Sequence, residues 1–284
     1  MQETGSESKT FAGECEKQAP SPRSPGAVGG AGAALIVGTY FFLLLFAGML
    51  VTLGGAVFGG AVPKVAFLSI TLLVANVGTT AVAVWGSRRP VHRMLPMRGI
   101  TPMLAGALVV VLVGLWPFIF AGASLLTRVW PISDVMMAAF APFQEAPWIG
   151  LLVIGFLVPI AEEALFRGAL LGVLLERYSA RWAVPVSALI FGLVHLSQQF
   201  VGALALGLVM GWLRVRTRSL WPGLVLHMLN NTAVAVLFFL DEATLAAWGL
   251  DPMAAVVPMP PVWSLLAGGV LLVSGLVAAH RLTR

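Results

Sequence analysis

Long apolar runs broken by short polar stretches dominate the chain from residue 34 onward. A helix needs about 20 apolar residues to cross a bilayer. Runs of that order lie near 34–56, 65–87, 102–125, 148–175, 183–199, 200–214, 221–240 and 262–280. The fifth and sixth are short, separated only around Ser197-Gln198-Gln199. The pattern predicts an all-α, polytopic membrane protein with about eight transmembrane helices. No repeat at a solenoid period is evident, so residues 34–284 read as one transmembrane helical domain. The first 33 residues are rich in Gly, Ala, Ser, Pro and Glu without a long apolar run, which predicts a disordered cytoplasmic tail. They also lack the basic start and apolar core of a secretory signal.

Charge tests the count of spans. With the tail inside, one set of loops and the C-terminus hold Arg88, Arg89, Arg93, Arg98, Arg177, Arg181, Arg214, Arg216, Arg218, Arg281 and Arg284. The opposite loops hold only Lys64 and Arg128, with Asp134, Glu145, Asp241, Glu242 and Asp251. That asymmetry is the one the positive-inside rule expects, and an odd number of spans would scramble it. Both termini are therefore expected in the cytoplasm, with the protein in the cell (plasma) membrane. Composition agrees: 59% of the 284 residues are hydrophobic and 10% charged, with a mean hydropathy of +0.94, whereas a soluble domain carries about 25% charged residues. The net charge of +5 sits in short loops, not on one face, which argues against a nucleic-acid partner. The single cysteine, Cys15, permits neither an intrachain disulfide nor a thiolate metal cluster.

Five ionisable side chains remain inside the spans: Glu162, Glu163, Arg167, His195 and His227, with amides at Asn230 and Asn231. A charge at the bilayer centre costs at least about 2.5–3.5 kcal/mol on insertion scales, so such groups face a protein interior or water and mark function. The other spans read as almost wholly apolar. Glu163 and Arg167 are four apart, share a helix face and predict an ion pair. Glu162 points about 100° away and addresses another neighbour. Phe191 and His195 are also four apart, as are His227 and Asn231. Three helices thus offer a carboxylate, two imidazoles and an amide to one interior. A carboxylate in apolar surroundings suits general-base work, and His and Asn donors suit a developing oxyanion. A metal site is the alternative, since two His and one Glu form a known catalytic zinc set. Both versions predict peptide hydrolysis.

Glu162-Glu163-Ala-Leu-Phe-Arg167 resembles the EExxxR motif of the CAAX-protease and bacteriocin-processing family of intramembrane endopeptidases. Phe191-Gly-Leu-Val-His195 resembles its FxxxH motif and His227-Met-Leu-Asn-Asn231 its HxxxN motif. The three occur in the family's order on separate spans, and the likeness covers about residues 148–235, with a protease core of about 148–240. The resemblance implies an eight-helix protease with a polar, cytoplasm-facing cavity, acting on a membrane-associated peptide or prenylated protein amid membrane lipid. It implies Glu162 as general base, His195 as its partner on the water, and His227 with Asn231 as oxyanion donors. Glu163 and Arg167 would be structural or substrate-orienting, with Phe191 packed beside His195. The version without a bound metal or other cofactor is preferred. A zinc-dependent version would use Glu162, His195 and His227.

Rival readings are a proton-coupled transporter, since intramembrane Glu and His also relay protons, and a non-catalytic immunity or scaffold protein of the same fold. No HExxH, GxSG or intramembrane Asp pair points to another intramembrane protease chemistry. His92 and His280 sit among arginines and need no catalytic role. Trp116, Trp130, Trp148, Trp182, Trp212, Trp221 and Trp263 fall near span ends, as interfacial anchors do. Pro159 predicts a kink before Glu162. Depth sets a tension. On these limits His195 lies about 18 Å along its helix and His227 about 9 Å along its own, which a tilt or a later start of the fifth span would reconcile. The stretch 241–261 reads as an irregular outer loop.

Overall fold

The computed structural model describes residues 29–57, 63–87, 90–132, 141–143, 145–195, 199–240, 242–247 and 256–283. The tail to residue 28 with Cys15, and Arg88, Arg89, Asp134, Ser197, Gln198, Asp241, Asp251 and Arg284, lie outside the described residues.

Each expected apolar run is a helix: α1 Gly29–Val57, α2 Lys64–Ser87, α3 Pro102–Val129, α4 Pro147–Arg177, α5 Ala180–Val194, α6 Gln199–Thr217, α7 Trp221–Val236 and α8 Val262–Leu282. No strand occurs among the described residues. The chain is a polytopic all-α membrane protein. Six of these helices are long and apolar enough to cross a bilayer. The exceptions are α5 and α7, of 15 and 16 residues. At 1.5 Å per residue they reach about 22–24 Å, short of the roughly 30 Å hydrocarbon core. They are also the helices that bring the two intramembrane histidines.

Boundaries follow local chemistry. Thr101 caps α3, its hydroxyl accepting from the Leu104 N–H, with Pro102 in the first helical position, where its missing N–H is harmless. The helix runs four residues past the expected end at 125. The fifth span differs from expectation at both ends. It begins at Ala180, earlier than 183, and ends at Val194, because His195 leaves helical geometry at φ −93° and ψ 24°. A later start therefore does not resolve the depth tension. His195 lies about 22 Å along α5 and His227 about 9 Å along α7, yet both meet the same carboxylate. Within 241–261, Glu242–Ala247 forms a short helix, and the Val257 N–H donates to Thr127 Oγ1 at 3.0 Å.

Helix α4 packs against α7 and α2, while α5 pairs with α6, α1 with α2, and α3 with α8. The α3–α8 contact is made by glycine. A Cβ added at Gly114 would sit 2.3 Å from the Leu272 backbone nitrogen, and one at Gly275 would sit 2.8 Å from that of Val111. Lipid offers no hydrophobic drive between helices, so such close backbone approach is a common means of association in membranes. The central cluster gathers Leu108, Leu165, Phe166, Phe191, Met210 and Leu226, while Phe42, Leu45 and Val270 face outward, as a lipid-facing surface requires.

One expectation fails in α2. It is not wholly apolar: Ser69, Thr71, Asn76, Thr79 and Thr80 are buried on it. Ser69, Asn76, Thr79 and Thr80 each donate to the carbonyl four residues back, which lets them lie in an apolar bundle.

Beyond the helix ends, the segment before α3 straps the α6–α7 turn. Leu220 N–H donates to Pro96 O, and Ser219 Oγ exchanges hydrogen bonds with the Arg98 backbone. Arg218 turns that corner at φ 53°.

Candidate active site

Helix α4 is not a uniform spiral. Its turns widen over Val153–Leu157 and again over Ala164–Leu170. Each widening is closed by a bond spanning five residues, from Val158 N–H to Val153 O and from Leu171 N–H to Phe166 O. Such π turns recur at functional sites. The two flank Val158–Glu163, the segment that holds both glutamates.

Glu163 and Arg167 pair as their spacing predicts. Arg167 Nη1 donates to Glu163 Oε1 at 2.7 Å, with the residues 1% and 2% exposed. The guanidinium also lies 4.1 Å from the Phe191 ring centroid, a cation–π contact across to α5. Glycines make room for the pair. A Cβ at Gly207 on α6 would approach Arg167 Nη2 to 3.3 Å, and one at Gly223 on α7 would approach Glu163 Oε2 to 3.0 Å.

Phe191 is more than packing beside His195. Its ring touches Phe166, His195 and His227, with centroids 4.9, 4.4 and 5.7 Å away. The same residue supplies a backbone carbonyl, which receives His195 Nδ1 at 2.7 Å. A carbonyl only accepts, so Nδ1 carries the hydrogen and Nε2 of the neutral ring is left as an acceptor. The four-residue spacing of Phe191 and His195 thus closes the last turn of α5 with the imidazole.

His227 is oriented by α4. Its Nδ1 lies 3.1 Å from Glu163 Oε1, the oxygen that Arg167 engages. A carboxylate paired with arginine accepts only, so His227 also carries its hydrogen on Nδ1. Both Nε2 atoms face Glu162, and each lies 3.7 Å from its Oε2. Glu162 and His227 are buried, while the His195 side chain keeps 21% exposure. Glu162, His195 and His227 therefore converge, and Glu163 joins them through His227, a link that helical spacing could not reveal.

Asn231, one turn beyond His227, donates from Nδ2 to Ile154 O at 3.1 Å and accepts from Asn230 at 3.1 Å. Trp116 and Trp212 pack against the core, and Trp116 donates to Asn230 Oδ1 at 3.1 Å. An indole N–H inside an apolar bundle needs an acceptor.

Tyr40 of α1 was not singled out from sequence. It is buried against Phe166. A tyrosine within an otherwise apolar face of α1 was the available signal. Beside it an apolar recess is lined by Ile36, Val37, Tyr40, Phe166, Ile190 and Val194.

A metal ion is the alternative occupant of this convergence. Among the described residues no group of three or more His, Cys, Asp or Glu is arranged to hold one.

Comparison with known proteins adds an independent line. Residues 144–233 match the family model described as Type II CAAX prenyl endopeptidase Rce1-like. The chain is 31% identical over 106 residues to the protein named "Putative membrane peptidase YdiL" of Bacillus subtilis (strain 168), covering 37% of this chain and 43% of that protein. It is 34% identical over 163 residues to an "Uncharacterized 24.3 kDa protein" of Escherichia coli, covering 54% of this chain and 70% of that protein. The chain thus spans less than half the length of the Bacillus relative. No solved structure matches it.

Proposed function

The chain belongs to the CAAX prenyl endopeptidase and bacteriocin-processing family, and from that premise we propose an intramembrane endopeptidase in which Glu162 takes the proton of an attacking water. The observation that carries this reading is the convergence of Glu162 Oε2 with the two Nε2 atoms, each 3.7 Å away and each an acceptor by the partner of its Nδ1. A water entering there gives one proton to Glu162 Oε2 and the other to His195 Nε2, and turns a lone pair outward, toward a substrate carbonyl.

On attack the new C–O bond forms, a water proton passes to Glu162, and the carbonyl electrons move onto oxygen. His195 orients the water. The second Nδ2 hydrogen of Asn231 serves the oxyanion, while His227, its Nδ1 hydrogen held by Glu163, keeps Nε2 as an acceptor beside Glu162. Collapse breaks the C–N bond, and the amine takes the proton from Glu162. Glu163 and Arg167 position His227 and Phe191 and do not touch substrate. No metal or other cofactor enters this scheme.

The match of residues 144–233 to a CAAX prenyl endopeptidase family model supports a prenylated C-terminus or a membrane-associated peptide as the substrate. The arginine asymmetry of the loops supports a site reached from the cytoplasmic side of the cell membrane, with both termini inside. The test is cleavage of a fluorogenic prenylated peptide by detergent-purified wild type beside Glu162→Gln. Cleavage by wild type alone is expected. Equal cleavage by both would remove Glu162 as the base.

A further inference from the structure

Three side chains from two helices form one hydrogen-bonded line ending on α4. Trp116 Nε1 donates to Asn230 Oδ1, Asn230 Nδ2 to Asn231 Oδ1, and Asn231 Nδ2 to the Ile154 carbonyl, each at 3.1 Å. The direction of this line is not arbitrary. An indole N–H only donates, so the Asn230 atom facing it is the oxygen, which turns the Asn230 amide nitrogen toward Asn231. That nitrogen in turn requires the Asn231 oxygen, leaving the Asn231 amide nitrogen facing Ile154. A carbonyl that only accepts closes the other end. Reversing any member would set like against like.

The Ile154 carbonyl is available for a physical reason. The wide turn of α4 runs Val158 N–H to Val153 O, five residues back. The next bond in that register would come from residue 159, which is proline and has no N–H. Asn231 occupies the acceptor that Pro159 leaves. With its oxygen held by Asn230 and one hydrogen held by Ile154, Asn231 keeps a single Nδ2 hydrogen in a fixed direction.

We infer that Trp116 of α3, acting through Asn230, is a positioning residue that sets the orientation of the Asn231 amide. Trp116 lies outside residues 144–233, so α3 contributes to the site without belonging to its motifs. The consequence for catalysis rests on the oxyanion role proposed for Asn231. The line itself does not.

The test uses full-length protein in detergent and the fluorogenic prenylated peptide. Trp116→Phe keeps an aromatic ring and removes the N–H. It is expected to lower kcat about tenfold, well short of the roughly 10²–10³-fold lost with an oxyanion donor, while KM stays unchanged and Tm falls by no more than a few degrees. Asn230→Asp keeps the acceptor for Trp116 but sets oxygen against Asn231 Oδ1, and should lower kcat further. In an Asn231→Ala background Trp116→Phe should have no further effect on kcat. A wild-type kcat in Trp116→Phe, or an undiminished loss in the Asn231→Ala background, overturns the proposal.

A readout free of turnover completes it. The ¹⁵N-indole signal of Trp116, assigned by its loss in Trp116→Phe, should shift in Asn231→Ala if the line is continuous. An unmoved signal overturns it. If wild type leaves the peptide uncut, the proposed function fails, and the indole signal still decides the line.

Discussion

His227 and Glu163, on separate helices, meet at 3.1 Å between Nδ1 and Oε1, and that oxygen also receives Arg167 at 2.7 Å. The second glutamate of the motif is therefore not only the partner of an arginine one turn away. It binds the imidazole of α7 to α4, fixes its tautomer, and leaves Nε2 facing Glu162. A buried carboxylate that holds a catalytic imidazole in place is familiar from serine hydrolases.

Arg167→Ala should destabilise the protein strongly, because it leaves Glu163 buried without its cation, and breaking a buried pair costs about 3–5 kcal/mol. Thermal unfolding in detergent reads this directly. A normal Tm would refute the ion-pair account. The double variant Glu163→Gln with Arg167→Met removes both charges and should recover much of the lost Tm. It should stay inactive, since His227 has lost the carboxylate that orients it.

Glu162→Gln preserves shape and removes the proposed base. Activity should fall by at least about 10²-fold, the low end of what general-base catalysis contributes, with Tm at or above that of wild type. Retained turnover in correctly folded protein would shift the base to one of the histidines.

Pro159→Ala supplies the missing N–H beside Ile154. The new donor competes with Asn231 for that carbonyl, so the amide loses its anchor. The expected result is lower kcat with an undiminished Tm, since alanine favours the helix where proline does not. A variant as active as wild type would mean that Asn231 keeps its orientation without Ile154.

Incubation with 1,10-phenanthroline or EDTA should leave peptide cleavage unchanged, and added zinc should not raise it. Loss of activity on chelation, restored by a stoichiometric divalent ion, would overturn the metal-free scheme.

Gly114→Leu should separate α8 from α3. The added side chain meets the backbone of Leu272 and Gly268, and a helix backbone cannot move aside as a flexible side chain can. The cost should reach about 3 kcal/mol, the upper end for overpacking. Fluorescence-detected size exclusion after a heat step would show it.

Much of this protein is legible along the chain. Eight apolar runs place eight helices, because the bilayer requires each spanning segment to satisfy its own backbone and turn apolar side chains outward. Five ionisable residues stand out because lipid penalises every other position for them. The spacings Glu163–Arg167 and Phe191–His195 predict contacts along one helix, and both are present, since they depend only on 3.6 residues per turn.

Contacts between helices are another matter. That His227 turns to Glu163, that Trp116 reaches Asn230 and that Asn231 serves Ile154 depend on how far each helix slides and rotates against its neighbours. Close glycine contacts such as Gly114 with Leu272, and the wide turns that flank Val158–Glu163 in α4, belong to that packing. Residues more than a hundred positions apart set them together. Helical periodicity acts only within a single helix, so the sequence by itself determined which side chains the site could draw on, and the packing of the bundle decided which of them meet.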